Sequence, residues 1–230
     1  MIAAVVTGAA SGIGRSVSER LAAGGMPVYG LDRTPFEAAS FTPVLCDVGD
    51  EPSVARFFAG LEKEGVAVGC LVNVAGVLTV NGKTPIPDIT LQDWEAMLRN
   101  NLTSMFLMMK YAYPLLKKAQ GASVVNISSD QSFEGHAGFA PYGVSKAGVN
   151  RLTDVAAKEF SADGIRVNAV APGSVRTNIL STLFPPETIE EIYRTQGDGI
   201  LLPGDVAELV CYLASPTCRV TGQVYRMELG

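Results

Sequence analysis

Short apolar runs, most of them rich in β-branched residues, alternate along the chain with stretches whose apolar positions recur every three or four residues. The short runs are Ile2–Thr7, Pro27–Asp32, Val44–Asp47, Cys70–Val74, Ser123–Ser128, Ile165–Val170 and Gln223–Met227. Most are apolar at nearly every position rather than at alternate ones. That is the pattern of a strand covered on both faces. Between them, helical spacing runs from Ile13 to Ala22, and again through Val54, Phe57, Phe58 and Leu61. Trp94, Met97, Leu98 and Leu102 mark another helix, which runs on to about Leu116 with room for a break. Pro141 to about Ser161 carries Val144, Val149, Leu152, Val155 and Ala156, and a late helix carries Val206, Leu209, Val210 and Leu213. Strand–helix alternation of this kind predicts an α/β protein with about seven parallel strands and helices on both faces. No repeat, low-complexity segment or linker divides the chain, so residues 1–230 read as one domain.

Residues 174–203 break the pattern. They hold Pro185-Pro186, scattered apolar residues and Gly197-Asp198-Gly199. An excursion near the carboxyl ends of parallel strands reads as a substrate lid, with a plain surface insertion as the bland alternative.

Composition narrows the partners. Apolar residues make up 47% of the 230-residue chain and charged residues 18%, enough for a generous core in a soluble protein. The net charge is −5 and no Lys/Arg run is present, which argues against nucleic acid or an anionic membrane as a partner. Met1 is followed by Ile2-Ala3-Ala4-Val5-Val6 with no basic stretch, and glycines at 8, 12 and 14 interrupt the apolar run, so neither a signal peptide nor a membrane span is expected. Cys46, Cys70, Cys211 and Cys218 form no C-x-x-C pair and read as buried free thiols of a cytoplasmic protein. One histidine, His136, excludes a multi-His metal site, and no metal is expected.

Two groups of residues carry candidate chemistry. The first strand runs into Thr7-Gly8-Ala9-Ala10-Ser11-Gly12-Ile13-Gly14-Arg15 and then a helix. Glycines there close the turn, admit a pyrophosphate to the backbone and let helix and strand pack closely, while the helix N-terminus offers N–H groups to phosphate. This makes the expected fold a Rossmann-like, doubly wound domain. Asp32 ends the second strand, where a carboxylate accepts from the adenosine ribose hydroxyls and repels a 2′-phosphate. The expected cofactor is therefore NAD in preference to NADP, although Arg33 next door is a residue type that serves a 2′-phosphate. In the second group, Tyr142 and Lys146 are four residues apart on a helical stretch and share one face. A lysine beside a phenol favours the phenolate, and a phenol so tuned exchanges protons with an alcohol or ketone.

With these motifs in this order, the chain resembles the short-chain dehydrogenase/reductase family over nearly its whole length. The family's glycine turn reads as Thr7, Gly8, Ser11, Gly12, Ile13 and Gly14. Its adenine-side aspartate reads as Asp47, followed by Val48, and its Asn-Asn-Ala-Gly motif as Asn73-Val74-Ala75-Gly76, with Val in second place. The resemblance implies a catalytic tetrad of Asn101 (with Asn100 beside it), Ser129 (with Ser128 beside it), Tyr142 and Lys146. It implies that Tyr142 is the acid/base, that Lys146 tunes it and holds the nicotinamide ribose, that Ser129 holds the substrate oxygen, and that Asn101 holds a water linking Lys146 to solvent. Pro172 and Gly173 lead to Val175 and Thr177, which meet the nicotinamide carboxamide in the family.

The implied activity is NAD(H)-dependent interconversion of a secondary alcohol and a ketone, with a homotetramer or homodimer as the assembly. An NADP-dependent 3-oxoacyl thioester reductase and a sugar or polyol dehydrogenase are the alternatives, and a dinucleotide-binding regulator without chemistry is disfavoured because Tyr142 and Lys146 are both present. Two stretches depart from the family pattern. Asp130-Gln131-Ser132-Phe133-Glu134 is more polar than the small residues usual after the serine, which makes Gln131 and His136 candidate substrate contacts. Arg226-Met227-Glu228-Leu229-Gly230 stands where relatives commonly carry Val-Asp-Gly-Gly.

Overall fold

A computed structural model describes residues 1–182, 184–196 and 200–228. Seven strands form one parallel sheet: β1 (Ile2–Thr7), β2 (Val28–Asp32), β3 (Thr42–Leu45), β4 (Ala67–Asn73), β5 (Ser123–Ile127), β6 (Arg166–Pro172) and β7 (Val224–Met227). Their order across the sheet is β3-β2-β1-β4-β5-β6-β7. The order reverses between β1 and β4, which leaves a crevice outside their carboxyl ends.

Successive side chains of a strand point to opposite faces, and the core follows that rule. Ala3 and Val5 of β1 join Leu71, Val124 and Val167 on one face. Ala4 and Val6 join Cys70, Val72, Val125 and Val170 on the other. The first face is covered by α2 (Glu51–Lys63), α4 (Ser104–Leu116) and α5 (Ala140–Phe160), through residues such as Phe58, Met108, Leu116 and Ala156. The second is covered by α1 (Gly12–Ala23) and α7 (Pro203–Ala214), through Val17, Val206, Val210 and Leu213. Each fully buried Val or Leu of this kind stabilises the fold by about 1.5–3 kcal/mol.

Two strands begin earlier than the sequence pattern predicts. The β3 strand starts at Thr42, not Val44, and includes Pro43. It lies at the sheet edge, pairing only with β2, where the N–H that proline lacks is not needed by a second neighbour. The β4 strand starts at Ala67, not Cys70, because Ala67 and Val68 pair with Ile2 and Ala3 across an irregularity in the register.

The helix expected from Trp94 to Leu116 is broken. It consists of α3 (Leu91–Leu98), a five-residue π-turn at Arg99–Thr103, and α4. Residues 174–203 hold a 3-10 turn at Asn178–Thr182 and α6 (Pro186–Gln196). The base of this excursion is closed by a bridge between Val175 and Leu201. Gly197-Asp198-Gly199 and Leu229-Gly230, both noted in the sequence, lie outside the described residues. No helix among the described residues is long and apolar enough to cross a membrane. All four cysteines are free, and Cys211 is half-buried rather than buried.

Candidate active site

The turn after β1 is built from backbone that only glycine supplies cheaply. Gly8 and Gly12 have φ of 68° and 55°, in the left-handed region. A Cβ on Gly14 would stand 2.2 Å from the Gly8 carbonyl oxygen, so α1 packs against the turn more closely than any side chain allows. Asp50 and Thr90 cap α2 and α3 by accepting from Ser53 N and Asp93 N, whereas Ser11 at the start of α1 makes no such bond. The first N–H groups of α1 therefore face the crevice without a capping side chain.

A cavity of about 440 Å³ occupies the crevice. Gly8, Ser11, Gly12, Ile13 and Gly14 form its floor, with Asp32, Asp47 and Val48 toward one end. Ala75, Gly76, Ser129, Tyr142, Lys146, Pro172, Gly173, Val175 and Thr177 also line it, with Ser128 beside Ser129. Asn73 and Asn101 stand behind the wall, buried at 1% and 0% exposure. Thr7 Oγ1 accepts from Val74 N and Ala75 N at 2.9 and 3.0 Å, fastening β4 to β1 at the point of reversal. Asn73 Nδ2 donates to Asn126 Oδ1 at 2.8 Å, and Asn126 Nδ2 to Thr153 Oγ1 at 3.0 Å, a buried polar link from the sheet to α5.

The Asp32 carboxylate is held from two sides. Oδ2 accepts from Ala10 N in the glycine turn at 3.2 Å, and Oδ1 from the Thr34 backbone and hydroxyl at 3.0 and 2.8 Å. Its charge is thus fixed at the cavity wall beside Arg33 and Thr34, which also line it. Asp47 accepts from Gly49 N at 2.8 Å and pairs with Arg99 at 3.0 Å. No sequence signal marks Arg99. Its partner is fifty-two positions away, and only the fold brings the π-turn to the adenine-side loop.

Three of the four expected residues, Ser129, Tyr142 and Lys146, line this cavity, and at the fourth place it is Asn100 that lines it while Asn101 lies behind. Lys146 is 3% exposed, and its Nζ donates to Ile127 O at 2.8 Å. Burial lowers its pKa from the ordinary 10.5 to about 8. Tyr142 is buried, with Lys146 Nζ 5.8 Å from its ring centre. Burial pushes its phenol up to about 12, against the Ser129 hydroxyl, which lowers it, and with the Asp130 carboxylate, which raises it further. The direction differs from the sequence expectation of a phenol tuned down by Lys146. In the protein's own surroundings, desolvation by burial is the largest influence on the phenol.

Asn101 is explained by the π-turn. Its Oδ1 accepts from Val77 N and its Nδ2 donates to Val77 O, both at 2.8 Å, and Nδ2 also reaches Ser145 Oγ at 3.1 Å. The bulge turns Asn101 inward to satisfy backbone groups of the strand-to-helix loop. A Cβ on Gly76 would stand 3.0 Å from Asn101 Oδ1 and 3.6 Å from Lys146 Nζ, so the space beside Gly76 abuts both.

Beside this cavity, a smaller groove runs between Leu78–Thr84 and Gly138–Tyr142, with Asp93 and Met97 of α3 on its wall. Tyr142 lines both this groove and the larger cavity, and so joins them. Neither Gln131 nor His136 lines either space. Gln131 Oε1 is buried without a partner, and His136 is exposed. Asp130 lines neither space either, but its Oδ1 accepts at 2.7 Å from the hydroxyl of Ser129, which lines the larger cavity. The excursion is tied to the site through Tyr193 of α6, whose hydroxyl donates to Thr177 O at 3.0 Å. Among the described residues no His, Cys, Asp or Glu cluster is arranged to hold a metal.

Comparison with known proteins gives the same picture. A family model described as short chain dehydrogenase matches residues 2–188. A short-chain dehydrogenase/reductase, olcF, of Penicillium canescens is 32% identical over 97% of this chain and 94% of its own length. A 3-oxoacyl-acyl-carrier-protein reductase, FabG, of Vibrio harveyi is 29% identical over 99% of this chain and 96% of its own. The ligand-free structure of the Thermoplasma acidophilum aldohexose dehydrogenase superposes with a TM-score of 0.87 at 29% identity, covering 98% of this chain and 91% of that one.

Proposed function

The chain belongs to the short-chain dehydrogenase/reductase family and is an oxidoreductase acting on CH–OH groups, and from that premise we propose that it interconverts a secondary alcohol and a ketone with NAD(H), using Tyr142 as acid/base. The observation that carries the reading is the meeting of Tyr142, Lys146 and Ser129 on the wall of the cavity that the glycine turn opens. That cavity fits a dinucleotide. Gly8, Gly12 and Gly14 line its floor without side chains, and α1 presents uncapped N–H groups to a pyrophosphate. Asp32, held by Ala10 N, receives the ribose hydroxyls and disfavours a 2′-phosphate, which supports NAD over NADP. Gly8, Ser11, Gly12, Ile13 and Gly14 hold the phosphates, Asp47 and Val48 the adenine, Asn73, Ala75 and Gly76 the strand edge beneath, and Pro172, Gly173, Val175 and Thr177 the nicotinamide end.

When bound, the cofactor supplies the hydride acceptor or donor. The chain's own residues handle the proton and the oxygen. A phenol at about 12 is protonated at neutral pH, so Tyr142 stands ready to give its proton to a ketone oxygen. In the reverse direction it must first lose that proton, and the ammonium of Lys146 favours the phenolate by proximity. Ser129 hydrogen-bonds the substrate oxygen and holds it against Tyr142. We place the water that links Lys146 to solvent in the space beside Gly76, next to Asn101.

Residues 174–203, tied to Thr177 through Tyr193, act as the lid. Four free thiols support a reducing cytoplasmic setting. Phe106 on α4 and Val144 and Val155 on α5 leave apolar surface exposed, which supports a homodimer or homotetramer through these helices.

The test is a screen of alcohols and ketones followed by nicotinamide absorbance, with NAD(H) and NADP(H) in parallel. Turnover on an identified substrate should fall by about 10²–10⁴-fold in Tyr142→Phe, and NAD(H) should bind more tightly than NADP(H). Near-full turnover by Tyr142→Phe would remove the proton path, and the reverse cofactor order would mean that Asp32 does not select the dinucleotide.

A further inference from the structure

We propose that Asp130 is a positioning and specificity-determining residue, which turns Ser129 and selects substrates bearing a hydrogen-bond donor on the carbon next to the reacting one. This inference rests on the alcohol–ketone reading above and names the substrate class of that same site.

A serine hydroxyl has a single hydrogen to give. In the structure it points to Asp130 Oδ1, 2.7 Å away, and the same oxygen accepts from Gln131 N at 2.7 Å. Ser129 Oγ also accepts from Gln131 N at 3.3 Å, and so shows its remaining lone pair, not its proton, to the cavity. Such a hydroxyl accepts from an alcohol or from the Tyr142 phenol. To donate to a ketone or to developing negative charge, Ser129 must turn and leave Asp130 Oδ1 with Gln131 N alone. A half-buried carboxylate that loses a charge-assisted bond is costly unless another donor replaces it. A hydroxyl or ammonium on the neighbouring substrate carbon is placed to do this, because two oxygens on adjacent carbons are separated by about one hydrogen-bond length. Ser129 then turns without leaving Asp130 short of a partner.

The other carboxylate oxygen adds a charge effect. Asp130 Oδ2 lies 3.9 Å from where a Cβ on Gly173 would stand, at the edge of the cavity that Gly173 lines. Arg226, toward this loop, is already shared by Glu134 at 2.9 Å and Glu228 at 2.7 Å, and no ion pair among the described residues involves Asp130. Lys83 lies on the far side, packed along Gly138 with its Nζ 6.0 Å from the Phe139 ring. A carboxylate on the substrate close to the reacting carbon therefore meets a like charge, and an ammonium meets an opposite one.

The test uses the full chain with NAD and four alcohols: vicinal butanediol, its amino analogue, plain secondary butanol and β-hydroxybutyrate. Wild-type kcat/KM should favour the diol or the amino alcohol over the other two by about tenfold or more. The diol-to-amine ratio tells whether bond replacement or charge dominates. Asp130→Asn keeps an acceptor for Ser129 and removes the charge. It should bring β-hydroxybutyrate to within about threefold of the diol, chiefly through KM. Asp130→Ala removes both, so Ser129 turns without leaving a carboxylate short of a partner, and kcat on plain butanol, where charge plays no part, should rise toward that on the diol. A wild-type preference for plain butanol or β-hydroxybutyrate overturns the inference, as does a selectivity ratio that Asp130→Asn leaves within about twofold of wild type, or the turnover of none of the four. Turnover that survives Tyr142→Phe overturns the underlying reaction instead, so the two failures are distinguishable.

Discussion

Lys146 shows how far a functional residue departs from what stability alone would select. An amine at 3% exposure with a single backbone carbonyl as partner is held at a pKa of about 8, against an ordinary 10.5. Above about pH 10.5 the group is neutral in both folded and unfolded chains and costs nothing. As pH falls through that value the unfolded chain takes up the proton first, and stability is lost until the folded protein takes it up too, near pH 8. Near neutrality the lysine therefore opposes folding. Lys146→Met should raise stability at pH 7 by about 1–3 kcal/mol, less the lost bond to Ile127, while abolishing turnover. The gain should shrink toward zero by about pH 10.5, which urea titrations at the two pH values would check. A gain independent of pH would mean that packing, not charge, is responsible. The sequence makes Tyr142, Lys146 and Ser129 legible because the family's spacing is local. It misses Arg99 on Asp47 and Asp130 on Ser129. Arg99 needs the fold to bring distant residues together, and Asp130 is, in the sequence, one polar loop residue among several.

At the scale of elements, the π-turn between α3 and α4 is the piece that the apolar pattern could not draw. Trp94 through Leu116 keeps helical spacing nearly throughout, and periodicity does not register one extra residue in a turn. What fixes the bulge is Asn101, whose amide replaces both partners that Val77 would otherwise lack. Asn101→Ala should leave that part-buried N–H and carbonyl without their partner, and lower stability by about 1–3 kcal/mol. Asn101→Asp, which can accept but cannot donate while ionised, should lose part of this. Equilibrium unfolding of the two variants would test the order, and an alanine variant as stable as wild type would show that Val77 finds other partners. The edge strand β3 has a similar lesson. Pro43 argues against a strand by composition, yet an edge pairs on one side only, and the proline is tolerated there.

For the whole molecule, strand order rather than any one motif places the site. The reversal between β1 and β4 puts the glycine turn, the Asn73–Gly76 stretch and the Ser129 loop around one crevice, although they are far apart in the chain. The alternation of strands and helices made that architecture legible, since covered strands read as continuous apolar runs. Subunit assembly is less so, because an outward apolar residue on a helix has the same sequence signature as one facing the core. Phe106, Val144 and Val155 are 47%, 48% and 41% exposed on two helices of the same sheet face. Light scattering at micromolar protein should return twice or four times the 24.2 kDa chain mass. A monomer would show that these faces stay in solvent, and charged replacements at Phe106 and Val144 should split any assembly that does form.

The α3 helix has a consequence for how the protein can be watched. Trp94 is the only tryptophan of the chain, and it stands between Asp93 and Met97, which both face the groove beside Tyr142. The fluorescence of this protein thus comes from a single indole, carried on the helix that walls this groove. Its emission overlaps the absorption of a reduced nicotinamide, so the same lamp reports two arrivals by different signatures. Quenching by energy transfer follows the dinucleotide, and a shift in the residual emission follows whatever enters the groove afterward.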